Sequence, residues 1–331
     1  MKKIFALVLA LCMLLALAAC GAPKTAEYKL GMGVSLNTDS SKENNAQVDA
    51  TVAAVVLDKD GKIVAAKIDV AQNKMNVTDG QIEADKEFLS KRELKEDYGM
   101  SKIGAKEWYI QAEAFEQYVI GKTGAEVSGM ETVVNDEGHT VTTDEALYAS
   151  CSISIGDFIE AIAKACNDEQ GMSFQSDGNF KLGLAVNSEA NESVAATAEK
   201  DGVVKMYSEF GAVVLGADGK ILAAVTDATQ PQIAITAAGQ IGETTFGGTK
   251  RELKEGYNMV AYSNATLEWY QQARNFVEFA VGKTPDELTK VETKINEEGH
   301  SVFADEALYA SVSISIDGMT AVLVKAANNA A

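Results

Sequence analysis

Apolar and polar residues alternate in short runs separated by glycine turns, and the whole pattern occurs twice along the chain. In the first half, runs over residues 50–57 and 62–70 flank Asp60-Gly61. This arrangement is typical of a β-hairpin, because a type I′ turn needs positive φ at both central residues. An extended segment over residues 28–34 precedes it and predicts another strand. The second half repeats these features at residues 180–186, 209–215 and 220–226, with Asp218-Gly219 at the turn.

A helical pattern follows each hairpin. Trp108, Ala112, Phe115 and Val119 lie at spacings that place them on one face of a helix, and Gly121 follows where a C-terminal glycine is expected. The corresponding residues of the second half are Trp269, Ala273, Phe276, Ala280 and Gly282. The tandem Lys91-Arg92 and Lys250-Arg251 stretches before these helices indicate either a helical turn or a loop.

The end of each half predicts a last strand and a closing helix. Residues 150–155 alternate serine with apolar residues, and residues 157–166 have a helical composition. Strands and helices in this order predict an α+β fold of two homologous repeats, each a mostly antiparallel sheet with packed helices. A polar, glycine-bearing join places repeat domain 1 at residues 28–172 and repeat domain 2 at residues 173–331.

One stretch is almost identical in the two halves. Residues 144–155 read Asp-Glu-Ala-Leu-Tyr-Ala-Ser-Cys-Ser-Ile-Ser-Ile, and residues 305–316 differ only by Val312 in place of Cys151. The hairpins have diverged far more. The chain is therefore an internal duplication, and this stretch is kept by a shared capping geometry, by a binding site, or by uneven drift after a recent duplication.

The N-terminus predicts export. Lys2 and Lys3 precede an apolar run that is shorter than the ~20 residues of a spanning helix, so residues 1–19 are predicted to be a cleaved signal peptide. Residues 17–21, Leu-Ala-Ala-Cys-Gly, resemble the bacterial lipobox. The resemblance implies that Cys20 is lipidated and anchors the protein to the outer face of a membrane, with residues 20–27 as a tether.

The net charge of the chain limits the classes of partner that it can bind. The formal net charge is −19, and loss of the signal peptide would bring it to −21 because two lysines leave with it. Such a surface repels nucleic acid and anionic lipid headgroups, so no nucleic-acid partner is expected.

The histidines and cysteines are candidates for a metal-binding or redox role. His139 and His300 occupy equivalent turns, where an exposed histidine is favoured over a metal ligand because no ligand pattern surrounds them. Cys151 and Cys166 occur in the first repeat only, which favours buried thiols while leaving a disulfide open. Phosphate-binding loops and the hydrolase nucleophile elbow are absent from the sequence.

Two further patterns have two interpretations each. The tryptophans of the Trp-Tyr pairs fit the core, while Tyr109 and Tyr270 could line a cleft. The repeated Lys-Arg pairs are either a solvated face or a site for a phosphate or carboxylate ligand.

The repeated stretch resembles the attachment motif of the bacterial FMN-binding domain of flavin-carrying electron-transfer proteins. In that family the pattern Asp-x-x-Ser/Thr-Gly-Ala-Thr/Ser precedes the last helix, and its final hydroxyl is joined to FMN through phosphate. The resemblance implies that Asp144 and Ser150, and likewise Asp305 and Ser311, lie near FMN. Tyr148 and Tyr309 stand where the family has glycine, and Leu147 and Leu308 stand where it has a hydroxyl.

The sequence thus supports three hypotheses. The first is a membrane-anchored flavin-binding or electron-transfer lipoprotein with a site formed by Asp144, Tyr148, Ser150, Asp305, Tyr309 and Ser311. The second is a non-enzymatic cell-surface protein that binds a ligand or acts as a scaffold and has lost flavin binding. The third is a hydrolase whose site has no recognisable pattern.

Overall fold

The computed structural model of the protein describes residues 25–83, 86–263 and 265–331. The predicted signal peptide and Cys20 lie outside these residues. The first strand begins at Ala26, so the last residues of the predicted tether belong to a sheet. Within the described ranges, no helix has the length and apolar character needed to span a membrane.

The two halves have a similar order of elements, and the second has four more strands and helices than the first. The first contains β1 (Ala26–Asn37), β2 (Asn45–Leu57), β3 (Ile63–Thr78), β4 (Gln81–Ile82), α1 (Lys91–Leu94), α2 (Trp108–Val119), α3 (Gly124–Ser128), β5 (Thr132–Val134), β6 (Thr140–Thr142), α4 (Glu145–Tyr148) and α5 (Gly156–Cys166). The second contains β7 (Met172–Ser176), β8 (Phe180–Glu189), β9 (Gly202–Lys205), β10 (Tyr207–Gly216), β11 (Ile221–Thr229), β12 (Gln232–Ile235), β13 (Ile241–Thr245), α6 (Lys250–Leu253), α7 (Met259–Tyr262), α8 (Trp269–Ala280), α9 (Pro285–Leu288), β14 (Thr293–Ile295), β15 (Ser301–Phe303), α10 (Glu306–Ser311) and α11 (Asp317–Asn328). Short 3₁₀ helices cover Lys95–Tyr98, Met100–Ile103 and Lys254–Tyr257.

The strands pair antiparallel throughout. The largest sheet has five strands in the order β4-β3-β2-β1-β7, and a second sheet has the order β11-β10-β8. β7 begins at Met172, next to the predicted domain boundary, and pairs with β1 of the first repeat. A smaller sheet, β13-β12-β9, shares a separate apolar core with the far end of the β2–β3 hairpin. The α+β class with mostly antiparallel sheets and packed helices is confirmed.

The two large sheets pack face to face, and helices cover their outer faces. Alternate side chains of β1, such as Leu30 and Met32, share one core with Leu184 of β8 and Phe210 of β10. The opposite face of β2, including Val55, packs with α2 and α5. Because both faces of each sheet are covered, the middle of β2 is buried without interruption over residues 50–57 rather than in alternation.

Glycine permits the closing helices to approach the central strands. A Cβ at Gly31 or Gly183 would overlap a backbone carbonyl of α5 or α11, namely that of Ala165 or Ala326. These two glycines are equivalent in the two repeats. The helix backbone therefore lies directly on the strand, which a larger residue would prevent.

Equivalent ion pairs cross between the repeats. Lys164 of α5 lies 3.0 Å from Glu252 of α6, and the equivalent Lys325 of α11 lies 2.6 Å from Glu93 of α1. Each helix that closes one repeat thus contacts the Lys-Arg-Glu-Leu helix of the other. The contacts are related by an approximate two-fold symmetry.

A buried ion pair joins the repeats near the covalent connection. Arg251 donates to both carboxylate oxygens of Asp168, at 2.9 and 3.0 Å, and both side chains are at least nine-tenths buried. Asp168 also accepts the backbone N–H of Met32 in β1. The equivalent Arg92 instead pairs with buried Glu116 inside its own repeat.

The predicted hairpins and helices are confirmed. Gly61 and Gly219 have positive φ, and so do Gly121 and Gly282 after the tryptophan helices. The Lys-Arg stretches form helical turns rather than loops, opened by Ser90 and Thr249 as capping residues.

The strand predicted at residues 150–155 is wrong. These residues and their equivalents in the second repeat form no strand. The side-chain oxygen of Gln111 accepts the backbone N–H of Ser152, and that of Gln272 accepts those of Ser313 and Ile314. A buried glutamine on the neighbouring helix thus satisfies donors that a β-partner would have satisfied, so serine–apolar alternation here marks an extended segment beside a helix.

Replacing Gly183 by alanine should destabilise the protein. The added methyl group must displace α11, and we expect the free energy of unfolding to fall by about 2 kcal/mol, measured by chemical denaturation. Gly256→Ala is the matched control, because a Cβ there meets no atom within 4 Å. Equal stability of the two variants would show that the close approach of helix and strand is not a constraint.

Candidate ligand-binding site

A large cleft opens in the second repeat, with a volume of about 1150 Å³. Its walls come from the ends of β8 and β10, from α6 and the segment that follows it, and from the β14–β15 hairpin. Part of the repeated stretch, including Tyr309 and Ser313, forms another wall. Clefts of roughly 300–1000 Å³ hold small organic ligands in proteins, so this one has sufficient space.

Lys250 lies on the wall of this cleft inside a cage of aromatic rings. Its ammonium nitrogen is 4.7 Å from the ring centre of Tyr207, 5.0 Å from that of Tyr257 and 5.2 Å from that of Trp269. The residue is only 8% exposed. None of the described residues forms a hydrogen bond or ion pair with this nitrogen, so its donors are free toward the cleft.

Burial controls the electrostatics around this lysine. Desolvation lowers the pKa of Lys250 to about 8, against the opposing charges of Glu209 and Asp227. Burial also raises the pKa of Glu209, whose carboxylate accepts the Tyr207 hydroxyl at 3.0 Å. The pKa of Tyr207 is raised as well, mainly by burial and to a smaller extent by the charge of Glu209. The aromatic faces and the nearby carboxylates of Glu209 and Asp227 favour the charged ammonium, whereas burial disfavours it.

The buried carboxylate of Asp227 holds the first turn of α6, the helix that carries Lys250. Asp227 accepts the backbone N–H of Arg251 at 3.0 Å, while Thr249 and Glu252 form a reciprocal capping box at the start of α6. The first repeat has the same arrangement, since Asp69 accepts the N–H of Arg92. The duplicated aspartate at the end of the hairpin therefore fixes the first turn of each Lys-Arg-Glu-Leu helix.

The two repeats have diverged at this place. The strand residues Asp49 and Thr51 of the first repeat correspond to Tyr207 and Glu209, when Val55–Lys62 is matched to Val213–Lys220. On the closing helix, Asp157 of the first repeat corresponds to Gly318, and a Cβ at Gly318 would overlap the Glu209 carboxylate. The two repeats thus differ at one ring of the aromatic cage and at this glycine.

Lys91, the counterpart of Lys250, has a less complete environment. It is half-buried and lies over only two rings, those of Tyr98 at 4.8 Å and Trp108 at 5.6 Å. Burial raises the pKa of Asp157, against an opposing hydrogen bond from Ser35. Lys91 lies close enough for its charge to act on this carboxyl. The lysine of the first repeat therefore lacks the third aromatic ring that Tyr207 supplies at Lys250.

The aspartates and serines of the predicted flavin site make local structural contacts. Asp144 and Asp305 cap α4 and α10, each accepting two backbone N–H groups. The hydroxyls of Ser150 and Ser311 donate to the carbonyl oxygens of Leu147 and Leu308, at 2.9 and 2.8 Å. These contacts explain the identity of Asp and Ser in the two copies by capping geometry, and the assignment of the four residues to a flavin stays a prediction.

The two tyrosines of the repeated stretch differ. Tyr148 of the first repeat is 45% exposed. Tyr309 lines the cleft, and the Lys294 ammonium lies 5.0 Å from its ring centre. Of the six residues predicted from the repeated stretch, Tyr309 is thus the one that reaches the cleft containing Lys250.

The other residues singled out in the sequence are histidines in turns, free thiols and hydrogen-bonded tyrosines. His139 and His300 are about half exposed in turns, each near the glutamate two residues before it, and His300 also lines the cleft. Cys151 and Cys166 are free thiols, with the pKa of each raised to about 11 by burial. The described part of the chain contains no group of three or more potential metal ligands. The phenol groups of Tyr109 and Tyr270 donate to Glu96 and Glu255.

Sequence reasoning missed Tyr207, Glu209, Gly318 and the role of Asp227. Tyr207, Glu209 and Gly318 lie at positions where the two copies differ, whereas Lys250 and Trp269 of the same cleft are shared by both copies. A position-by-position comparison of the diverged hairpins would have shown an aromatic and an acidic residue replacing Asp49 and Thr51.

Comparison with known proteins gives one partial similarity. A chlorophenol reductase of Desulfitobacterium hafniense is 30% identical over 125 residues, which cover 32% of this chain and 38% of the relative. The match thus spans less than two-fifths of the relative and does not show a family. No family model matches the chain, and no solved structure matches it.

Asp227 should make stability depend on pH. Burial raises the pKa of its carboxyl to about 6 in the folded protein, so the folded state keeps a proton that the unfolded chain loses. The contribution of Asp227 to the free energy of unfolding therefore falls as pH rises from about 4 to 7. Asp227→Asn keeps an acceptor oxygen without titrating, and its stability relative to wild type should rise by about 3 kcal/mol over that range.

Chemical denaturation of both proteins at the two ends of this range measures the difference. Asp218→Asn serves as the control, because it makes the same carboxyl-to-amide change at an exposed position. A pH-independent difference for Asp227→Asn would contradict the buried, proton-retaining carboxyl.

Proposed function

We propose that this chain is a lipid-anchored, extracytoplasmic ligand-binding protein whose second repeat binds a small organic molecule in the cleft beside Lys250. The observation that carries the proposal is the lysine itself. It is buried, surrounded by three aromatic rings, and without a protein partner among the described residues, at the wall of a cleft of about 1150 Å³. Desolvating an ammonium group costs free energy that a bound ligand can recover.

The divergence of the repeats supports the same proposal. The second repeat has Tyr207, Glu209 and Gly318 at its cleft, where the first repeat has Asp49, Thr51 and Asp157. In this interpretation the first repeat is a scaffold and the second is the binding unit. The lipobox-like residues 17–21 support anchoring through Cys20, with both repeats outside the membrane.

Flavin binding with electron transfer is the second candidate function. One observation favours it: Tyr309, within the stretch that resembles the FMN attachment motif, borders the same cleft. The relative of partial similarity is named as a reductase. A covalent FMN would be attached through the hydroxyl of Ser150 or Ser311, near Asp144 or Asp305, and these attachment residues belong to the resemblance alone.

Mass spectrometry of the protein purified from its native host tests both candidates. We expect a small molecule that remains bound under non-denaturing conditions and is released on denaturation, because the cleft holds it without a covalent bond. An added mass that survives denaturation, absorbs as a flavin and disappears in Ser150→Ala, Ser311→Ala protein would instead establish the flavin candidate. Protein that carries no molecule in either state, and does not bind added FMN or riboflavin, would contradict both.

Membrane anchoring has its own test. Cys20→Ser should abolish incorporation of labelled fatty acid and release the protein from the membrane fraction, because the thiol is the acylated atom. Cys12→Ser, within the predicted signal peptide, is the matched control and should remain lipidated. Labelled Cys20→Ser protein would show that the anchor lies elsewhere.

A further inference from the structure

We propose that Lys250 and Tyr257 form the anion-binding end of the cleft and that its ligand is an aromatic molecule with a single carboxylate. This inference rests on the proposed function, since it names the ligand class of the same cleft. It follows from the donors that face the cleft, from the charges around them and from the character of the walls.

Two donors with no protein acceptor among the described residues face the same space. One is the Lys250 ammonium, and the other is the hydroxyl of Tyr257, which also lines the cleft and makes no hydrogen bond with a described residue. Both atoms are accessible to solvent, because no fully buried side-chain nitrogen or oxygen among the described residues lacks a hydrogen-bond partner. A carboxylate has two oxygens that can accept from an ammonium and a phenol at once.

The surrounding charges limit the ligand to one negative charge. Lys205 is already paired with Glu192 at 3.1 Å, and the Lys294 ammonium lies over the Tyr309 ring. Burial raises the pKa of Glu209, and the hydrogen bond from Tyr207 and the charge of Lys250 oppose this shift. Glu189 and Glu192 of the same wall would repel a dianion such as a phosphate monoester. The acidic residues of this wall therefore favour a ligand with one negative charge at Lys250 over a ligand with two.

The walls favour an aromatic body. Trp269 and Tyr309 line the cleft together with the apolar side chains of Met259 and Ile314. Aromatic rings and a thioether form favourable contacts with a planar ring. The first repeat has identical counterparts of these four residues and differs by Asp49 in place of Tyr207 and Asp157 in place of Gly318.

Binding of two probes that differ only in charge tests the inference. Phenylacetate and its neutral amide, phenylacetamide, are titrated into the full-length protein, with Trp fluorescence and ligand-observed NMR as readouts. We expect phenylacetate to bind about tenfold or more tightly than the amide, because a hydrogen bond to a charged group contributes more than one to a neutral group.

Variants test whether Lys250 and Tyr257 cause the difference in affinity between the two probes. Lys250→Met should weaken phenylacetate binding about tenfold or more while leaving phenylacetamide binding unchanged, and Lys250→Arg should recover part of it. Tyr257→Phe should cause a smaller loss for the acid alone. Lys91→Met changes the equivalent residue of the first repeat and should leave both affinities as in wild type. Thermal denaturation of each variant verifies folding.

Two outcomes would overturn the inference and leave the cleft proposal standing. The first is equal binding of acid and amide, and the second is phenylacetate binding that survives Lys250→Met in a folded protein. Failure of both probes to bind wild-type protein also refutes this ligand class. In that case the molecule co-purified from the native host decides separately whether the cleft binds a ligand at all.

Discussion

The close approach of a helix to a glycine-bearing strand is the constraint on which the rest of the structure depends. Gly31 and Gly183 let α5 and α11 lie directly on the central strands, so the outer face of each large sheet is covered by a helix. The inner faces then pack against each other, and a layered core results. That fixed distance brings Lys164 and Lys325 to the opposite repeat, where each meets a glutamate.

Much of this fold follows from local patterns in the sequence. Asp-Gly turns, helical stripes that begin at Trp108 and Trp269, and the glycines after them all predict elements because their causes are local. The failure at residues 150–155 has a non-local cause. A strand and an extended segment have the same backbone shape, and only the distant Gln111 decides which partner takes the N–H of Ser152.

The cleft is harder to predict for a related reason. The repeated Asp-Glu-Ala-Leu-Tyr-Ala-Ser stretch indicates a binding site by its near identity in the two copies. Its Asp305 and Ser311 are instead engaged in capping and backbone contacts. The features that distinguish the second repeat are single residues on separate strands and helices. Their proximity depends on how β10, α6 and α11 pack, which periodicity does not encode. Tyr309 is the point where the repeated stretch and the cleft meet.

The reciprocal Lys164–Glu252 and Lys325–Glu93 contacts have an evolutionary consequence. An interface in which the same two residues meet twice is self-complementary, as in a two-fold homodimer. In a homodimer every substitution appears on both sides, so a change that opens one cleft opens the other. Fusion of the two copies into one chain removes this coupling. One half can then hold the assembly together while the other accepts a glycine at position 318 and a tyrosine at position 207, and specialises.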